Sequence, residues 1–178
     1  MKVTLTHDGK SVELDLTAEQ MTALGLKEEK KTGYERAEKH EVYYTVDVDN
    51  EVICLSDLYL DGPNSVYRGA NYYTSEELAK ANARADSLMR QLRRFAAENG
   101  GIPSVEDWRD MDNDHLMYLI QYCYSYHAKT RLTVDVSSPL YRKTGVVYFN
   151  SINAAENALE KFHDELIWYF TEYEAMLR

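Results

Sequence analysis

The sequence has little of several features that define large classes of protein. Only two of its 178 residues are cysteine, Cys54 and Cys123, and only three are proline. Two cysteines make no disulfide framework, so we expect a protein of the reducing cytoplasm. No apolar run approaches the roughly 18 residues that a membrane span needs, and no signal-peptide core follows Met1. Because 44% of the residues are hydrophobic, we expect the chain to fold.

The short motifs of well-known enzyme classes are missing as well. There is no Gly-x-Gly-x-x-Gly, P-loop, His-Glu-x-x-His, Cys-x-x-Cys or Gly-x-Ser-x-Gly pattern. Asp110-x-Asp112-x-Asp114 begins like a calcium loop, but His115 and Gln121 stand where that loop needs glycine and glutamate. We therefore predict a protein that is not an enzyme, with no catalytic residue, cofactor or metal site.

The first 33 residues have the pattern of a hairpin followed by a short helix. Apolar and polar residues alternate on both sides of His7-Asp8-Gly9-Lys10, and Asp-Gly is favoured in tight hairpin turns. Thr17 and Gln20 have the spacing of a capping box at a helix start. The charged stretch from Glu28 to Gly33 is a predicted linker, which makes residues 1–33 a separate N-terminal segment.

Two long amphipathic helices are predicted farther along the chain, at about residues 74–99 and 151–177. In each, apolar residues recur at alternating spacings of three and four, which places them along one face of a helix. Such a face packs on a sheet or on another helix. We expect the residues in the middle of the two stripes to be buried: Leu88, Leu92, Phe162 and Leu166.

The two helices belong to an internal repeat, which appears when the chain is compared with itself at an offset of 76 residues. Upstream of it, the segment Tyr43–Val46 has a rough counterpart in Tyr118–Gln121. We predict two similar modules of strand, strand, strand and helix, residues 34–100 and 101–178, within one compact domain. The expected fold is α+β, with the long helices packed on one antiparallel or mixed sheet. The matching pairs are Gly69 with Gly145, Tyr72 with Tyr148, Tyr73 with Phe149, Ser75 with Ser151, and Ala79 with Ala155.

Charge and tyrosine content define the candidate binding residues. The chain has 20 Lys and Arg against 30 Asp and Glu, a net charge of −10, and 15 tyrosines, which suit a half-solvated sheet or a recognition surface. The arginines either stabilise the end of their helix or bind phosphate or acidic groups, and the acidic residues also suit an ordinary solvated face. The candidates are Arg84, Arg90, Arg93 and Arg94 on the first long helix, and Glu156, Glu160, Asp164 and Glu165 on the second.

Two segments carry a family resemblance. They are Gly145–Ala155, followed by a helix with Phe162-His-Asp-Glu-Leu166, and Gly69–Ala79 with its Arg-Gln-Leu-Arg-Arg-Phe-Ala helix. Over roughly residues 34–178 the chain resembles small phage and prophage proteins of low-GC Gram-positive bacteria. Some proteins of this kind are anti-CRISPR proteins, which inhibit the single-effector, RNA-guided DNA nuclease. The resemblance implies no catalytic residues.

The expected function is therefore inhibition of a host type II RNA-guided nuclease, by binding it in the host cytoplasm and blocking DNA binding or cleavage. Such nucleases hold nucleic acid in positively charged channels, which attract an acidic protein. The partner is the nuclease or its guide RNA complex, with nucleic-acid contact through the arginines as an option and no membrane. A homodimer is also compatible with the sequence. Two alternatives stay open: a non-enzymatic phage interaction or structural protein with another target, and an enzyme with an unrecognised carboxylate site.

Overall fold

The computed structural model describes residues 2–25, 31–109, 116–123, 131–137 and 142–177. The chain divides into two compact units, residues 1–32 and 33–178. The larger unit contains both predicted modules. In the described residues the fold is α+β, as predicted, with helices and antiparallel sheets.

The N-terminal unit is the predicted hairpin and short helix. Strands β1 (Lys2–His7) and β2 (Lys10–Asp15) pair antiparallel, and α1 (Ala18–Ala23) follows. The central turn residues have positive φ, 49° at Asp8 and 73° at Gly9, as a type I′ turn requires. The capping box is formed, because the Gln20 backbone N–H donates to Thr17 Oγ1 and the Thr17 N–H donates to Gln20 Oε1.

Both modules contain a pair of strands followed by a long helical region, but a short helix follows the strand pair in the first module and precedes it in the second. The first contains β3 (Val42–Val46), β4 (Val52–Ser56), α2 (Asp61–Arg68) and α3 (Glu76–Glu98). In the second, α4 (Val105–Arg109) precedes β5 (Met117–Cys123), β6 (Arg131–Ser137) and β7 (Tyr148–Phe149). Its helical end consists of α5 (Ile152–Lys161), α6 (His163–Trp168), a π-helix (Tyr169–Tyr173) and α7 (Glu174–Met176).

Each module has its own sheet, whereas the sequence led us to expect one shared sheet. In the second module the strand order is β6-β5-β7, and in the first β3 pairs with β4 and with a single bridge from Tyr44 to Tyr73. Helix α3 explains how the modules nevertheless pack together. Its 23 residues span about 34 Å, enough to reach both modules. Leu78 and Ala79 lie on the first sheet, while Leu88 and Leu92 pack in the core of the second module.

The strand-to-helix junction is the repeated feature that the sequence identified. Ser75 and Ser151 are both N-cap residues in extended conformation, and each hydroxyl accepts a hydrogen bond of 3.2 Å from the N–H three residues later. Just before these serines, Tyr73 pairs with Tyr44, and Phe149 pairs with Tyr118. The two helices therefore begin in the same way, each just after an equivalent antiparallel pairing.

The upstream alignment of the repeat is wrong by one residue. It placed Tyr44 beside Leu119, but in the structure the equivalent of Tyr44 is Tyr118, because each pairs with the aromatic residue two positions before the N-cap serine. Both tyrosines pack among residues of the long helices, while Leu119 lies in a cluster with Met117 and Tyr148. Successive strand residues point to opposite faces, so a shift of one residue would exchange the two faces of the sheet.

The predicted helix cores are confirmed, but the second helix is not continuous. The mid-stripe residues are buried, with exposed fractions of 1% for Leu88, 4% for Leu92, 9% for Phe162 and 2% for Leu166. Helix α3 is unbroken, whereas the second stripe is interrupted at Phe162 and changes to a π-helix at Tyr169. The ends of that stripe are exposed, 45% at Ile152 and 46% at Met176.

Candidate functional site

Arg84 and Glu165 were predicted as parts of two separate binding surfaces, but they bind each other. Arg84 Nε donates to Glu165 Oε2 at 2.8 Å, and Arg84 Nη2 donates to Oε1 at 2.9 Å. The guanidinium carbon lies 3.9 Å from the centre of the Trp168 ring, a cation–π contact. The hydrogen bonds to Glu165 raise the pKa of Arg84 above its ordinary value. This pair joins α3 to α6 and leaves little charge for a partner.

The other three arginines lie in the second half of α3. Arg94 pairs with Glu98 one turn later at 2.8 Å, and the Arg90 guanidinium donates to Asn50 Oδ1 in the turn between β3 and β4. Arg93 is exposed and has no ion-pair partner among the described side chains. At 100° per residue, Arg90, Arg93 and Arg94 fall within one third of the helix circumference, and Arg84 falls outside it. The four arginines therefore do not form one continuous basic patch.

Arg90 also lines a polar recess of about 490 Å³ in the first module. Two carboxylates, Asp47 and Asp86, line the same recess together with Asn50. Their negative charge offsets that of Arg90, so the recess as a whole is not complementary to a phosphate group.

The acidic candidates divide into exposed and paired residues. Glu156 and Glu160 lie one turn apart on α5, both exposed, and neither has a cationic partner in the described part of the chain. Asp164 follows the interruption at Phe162 and lies 3.0 Å from His163 Nδ1. Glu165 points to Arg84. We call Glu156 and Glu160 the acidic strip, because they are the two exposed candidate carboxylates for which the described part of the chain shows neither an ion pair nor a side-chain hydrogen bond.

A buried carboxylate, Asp57, is a feature that the sequence analysis missed. Its side chain is 0% exposed and accepts hydrogen bonds at both oxygens. Oδ2 accepts from Arg36 Nε at 2.9 Å and from the Tyr72 hydroxyl at 2.9 Å. Oδ1 accepts from Arg36 Nη2 at 3.1 Å and from the Tyr59 backbone N–H at 2.7 Å. Each oxygen of this carboxylate therefore accepts two hydrogen bonds, and all four donors belong to the first module.

The pKa values in this cluster follow from those contacts. The hydrogen bonds from Arg36 lower the pKa of Asp57 to about 2, against the opposing effect of its burial. Burial, followed by the hydrogen bond to Asp57, raises the pKa of Tyr72 to about 12. The Asp57 carboxylate is thus charged and the Tyr72 phenol neutral at neutral pH, as expected for a group with a structural role. We call Arg36, Asp57 and Tyr72 the charged clamp. No spacing in the sequence brings Arg36, Asp57 and Tyr72 together, so only the tertiary fold identifies them.

No family model, curated protein or solved structure matches this chain.

The described residues form neither a metal-binding cluster nor a membrane-spanning helix. In the described part of the chain, no group of three or more His, Cys, Asp or Glu side chains is arranged to hold a metal ion. The segment Asp110–Asp114 lies outside the described residues. None of the described helices combines the length and hydropathy that a membrane crossing requires. Cys54 and Cys123 are both free and exposed.

Proposed function

We propose that the protein inhibits a host RNA-guided DNA nuclease of type II by binding to it, without chemistry of its own, in the host cytoplasm. The observation that carries this proposal is the acidic strip. Glu156 and Glu160 present two adjacent carboxylates to solvent on one helix, and no cation of the described chain neutralises them. A partner with exposed arginines or lysines would complete their interactions.

Electrostatics supports this kind of partner. The nucleic-acid channel of such a nuclease is positively charged. A protein with a net charge of −10 is attracted to it at long range, and the local strip adds a defined point of contact. Many acidic proteins bind nothing basic, so the test must concern these two residues and not total charge.

The geometry favours contact with the protein part of the nuclease over contact with its nucleic acid. Arg84 and Arg94 are engaged with Glu165 and Glu98, and Arg90 shares its recess with two aspartates. Of the four candidate arginines, Arg93 is the one that stays available for a phosphate. A single exposed arginine contributes little to nucleic-acid affinity compared with a multi-residue basic surface.

A DNA-cleavage assay with the purified nuclease, its guide RNA and target DNA tests the proposal. We expect the unchanged protein to inhibit cleavage, and Glu156→Lys with Glu160→Lys to weaken inhibition by about tenfold through slower association. The matched control is Glu38→Lys with Glu51→Lys, which makes the same change in net charge at exposed sites of the first module.

The result for the unchanged protein and the comparison of the two double variants test different statements. If the unchanged protein does not inhibit cleavage, the proposed function is wrong. If it inhibits and both double variants behave alike, the acidic strip is not the contact and total charge is the better explanation. Arg93→Ala should change inhibition by less than about twofold, because one phosphate contact is a small part of such a complex.

A further inference from the structure

A cavity of about 270 Å³ lies between helix α3 of the first module and the strands and helical end of the second module. Its walls come from α3, β5, β7 with the segment before it, and the helical end of the chain. Four wall residues are core residues with exposed fractions of 6% or less: Leu92, Leu119, Phe149 and Leu166. Gly145 and Lys143 are exposed, so the cavity opens to solvent on their side. The site thus has an apolar interior and a wet mouth.

The size of the cavity indicates the size of an occupant. Interiors of folded proteins are close-packed and leave few voids larger than a water molecule. An engineered apolar cavity of about 150 Å³ stays dry and binds benzene, which has six heavy atoms. In proportion, 270 Å³ has room for about eleven heavy atoms, the size of a single aromatic ring with a short side arm.

The helix geometry changes at this cavity. The π-helix begins at Tyr169, and Tyr169 and its neighbour Phe170 both line the wall. The hydroxyl of Thr171 donates to the carbonyl oxygen of Ile167 at 2.7 Å, which gives that carbonyl a partner beside the irregular turn. Single π-helical turns inside α-helices are frequent at functional sites. The wider turn places two consecutive aromatic rings on one apolar surface.

The wall of the cavity includes one basic and one acidic residue. Lys143 and Glu174 both line the cavity, and neither has an ion-pair partner within the described residues, including each other. Gln121 adds a neutral polar group. An occupant with one anionic and one cationic group could satisfy both charges, whereas a singly charged occupant would leave one of them alone.

We propose that this cavity binds a zwitterionic α-amino acid with an aromatic side chain. The ring occupies the apolar interior against Tyr169 and Phe170. The carboxylate binds the Lys143 ammonium, and the α-ammonium binds the Glu174 carboxylate. Such a molecule has about twelve heavy atoms, close to what the volume accommodates, and the site does not depend on any partner of the acidic strip.

Three matched compounds test this assignment on the full chain. They are L-phenylalanine, 3-phenylpropionate, which lacks the ammonium, and phenethylamine, which lacks the carboxylate. Binding is measured by titration of amide chemical shifts. We expect L-phenylalanine to bind with a dissociation constant on the order of 100 µM. Each analogue should bind about two- to fivefold more weakly, the range for a partly exposed ion pair.

Variants assign each charge and the cavity itself. Lys143→Gln should remove the advantage of L-phenylalanine over phenethylamine, and Glu174→Gln its advantage over 3-phenylpropionate. Lys39→Gln, at an exposed site of the first module, should change neither ratio. Met89→Trp fills the cavity from α3 and should abolish binding, while Gln91→Trp, exposed on the same helix, should leave it unchanged.

Several results would overturn the proposal. One is the absence of shifts in cavity residues of the unchanged protein at 10 mM L-phenylalanine, on the order of a hundred times the expected dissociation constant. Equal affinity for all three compounds would show a merely apolar cavity and remove the amino-acid assignment. Undiminished binding by Met89→Trp would place the site elsewhere. The comparison of the three compounds uses the unchanged protein, so it decides the matter even if a variant does not fold.

Discussion

The two modules share a backbone plan and differ in what fills their centres. In the first, the Tyr72 hydroxyl donates to buried Asp57 and accepts the Ala37 N–H at 3.1 Å. In the second, the equivalent Tyr148 hydroxyl accepts the Lys143 N–H at 2.9 Å. The tyrosine of the first module thus belongs to the charged clamp, while the second module shares a largely apolar cavity with α3. One strand-to-helix junction supports both, which shows that the junction and the centre are separable parts of the fold.

The surroundings of these two tyrosines are alike in space although not in sequence. The Tyr67 ring meets Tyr72 edge-on at 5.2 Å, and the Trp108 ring meets Tyr148 edge-on at 4.8 Å. Arg36 lies 5.6 Å from the centre of Tyr67, and Arg142 lies 5.7 Å from that of Trp108. Tyr67 belongs to α2, after the hairpin, whereas Trp108 belongs to α4, before it. The same edge-on aromatic pair with an arginine beside it is thus formed by residues from different positions in the chain.

The largest expected effect tests whether the apolar core joins the modules. Phe162 packs in the cluster that contains Leu88 and Leu92 of α3. We expect Phe162→Ala to lower the free energy of unfolding by about 3–5 kcal/mol, the usual cost of deleting a buried aromatic ring. Ile152→Ala, at the exposed start of the same stripe, should cost less than about 0.5 kcal/mol. Urea unfolding measures both, and equal costs would mean that the stripe is not buried as described.

The next effect concerns the charged clamp of the first module. Asp57→Ala leaves Arg36 and Tyr72 without their acceptor, and we expect a loss of about 3 kcal/mol in urea unfolding. Asp135→Ala is the matched control, because Asp135 is an exposed strand carboxylate of the second module that accepts from Gln121. Asp135→Ala should lower the free energy of unfolding by less than about 0.5 kcal/mol. A small effect at Asp57 would show that the first module does not depend on its polar centre.

The clamp also gives the first module a pH dependence. The pKa of Asp57 is lowered from 3.8 to about 2 in the folded protein. A lowered folded pKa stabilises the protein fully above the unfolded value and loses that contribution as the pH falls toward the folded value. We expect the urea midpoint of the unchanged protein to fall more steeply between about pH 4 and pH 2 than that of Asp57→Asn. Parallel pH profiles would contradict the assigned pKa.

A smaller effect tests the equivalence of the two junctions. Ser75→Ala and Ser151→Ala each remove an N-cap, which costs about 1 kcal/mol. Because the caps belong to different helices, we expect the two losses to be similar and to add within about 0.5 kcal/mol in the double variant. Ser87→Ala, in the middle of α3, should be nearly neutral. A cost at Ser75 with none at Ser151 would break the equivalence on which the repeat rests.

The sequence predicts features that depend on neighbours along the chain and misses those that depend on distant ones. Caps, apolar stripes and the junction are local, and they were predicted with nearly correct bounds. Helix α2 was not predicted, because Gly62 and Pro63 are typical of a loop. Pro63 nevertheless fits in the first turn of this helix, where the backbone N–H that proline lacks is not needed. The Asp57 clamp draws donors from three separate segments. Of the candidate site, the sequence identified the charged residues but not that Arg84 and Glu165 neutralise each other.

The smallest expected effect concerns that ion pair, the charged link between the helices of the two modules. Both side chains are about half exposed, 45% for Arg84 and 44% for Glu165. Exposed pairs contribute about 0.2–1 kcal/mol, so a double-mutant cycle with Arg84→Met and Glu165→Gln should give a coupling near 0.5 kcal/mol. At 1 M salt the screening length is only about 3 Å, and the coupling should fall by about half or more. The cation–π contact with Trp168 does not involve Glu165, so its loss should add to the cost of the single variant Arg84→Met, and the contact should persist in the single variant Glu165→Gln. A coupling above about 2 kcal/mol that persists in salt would show that charge, and not the core around Phe162, holds the modules together.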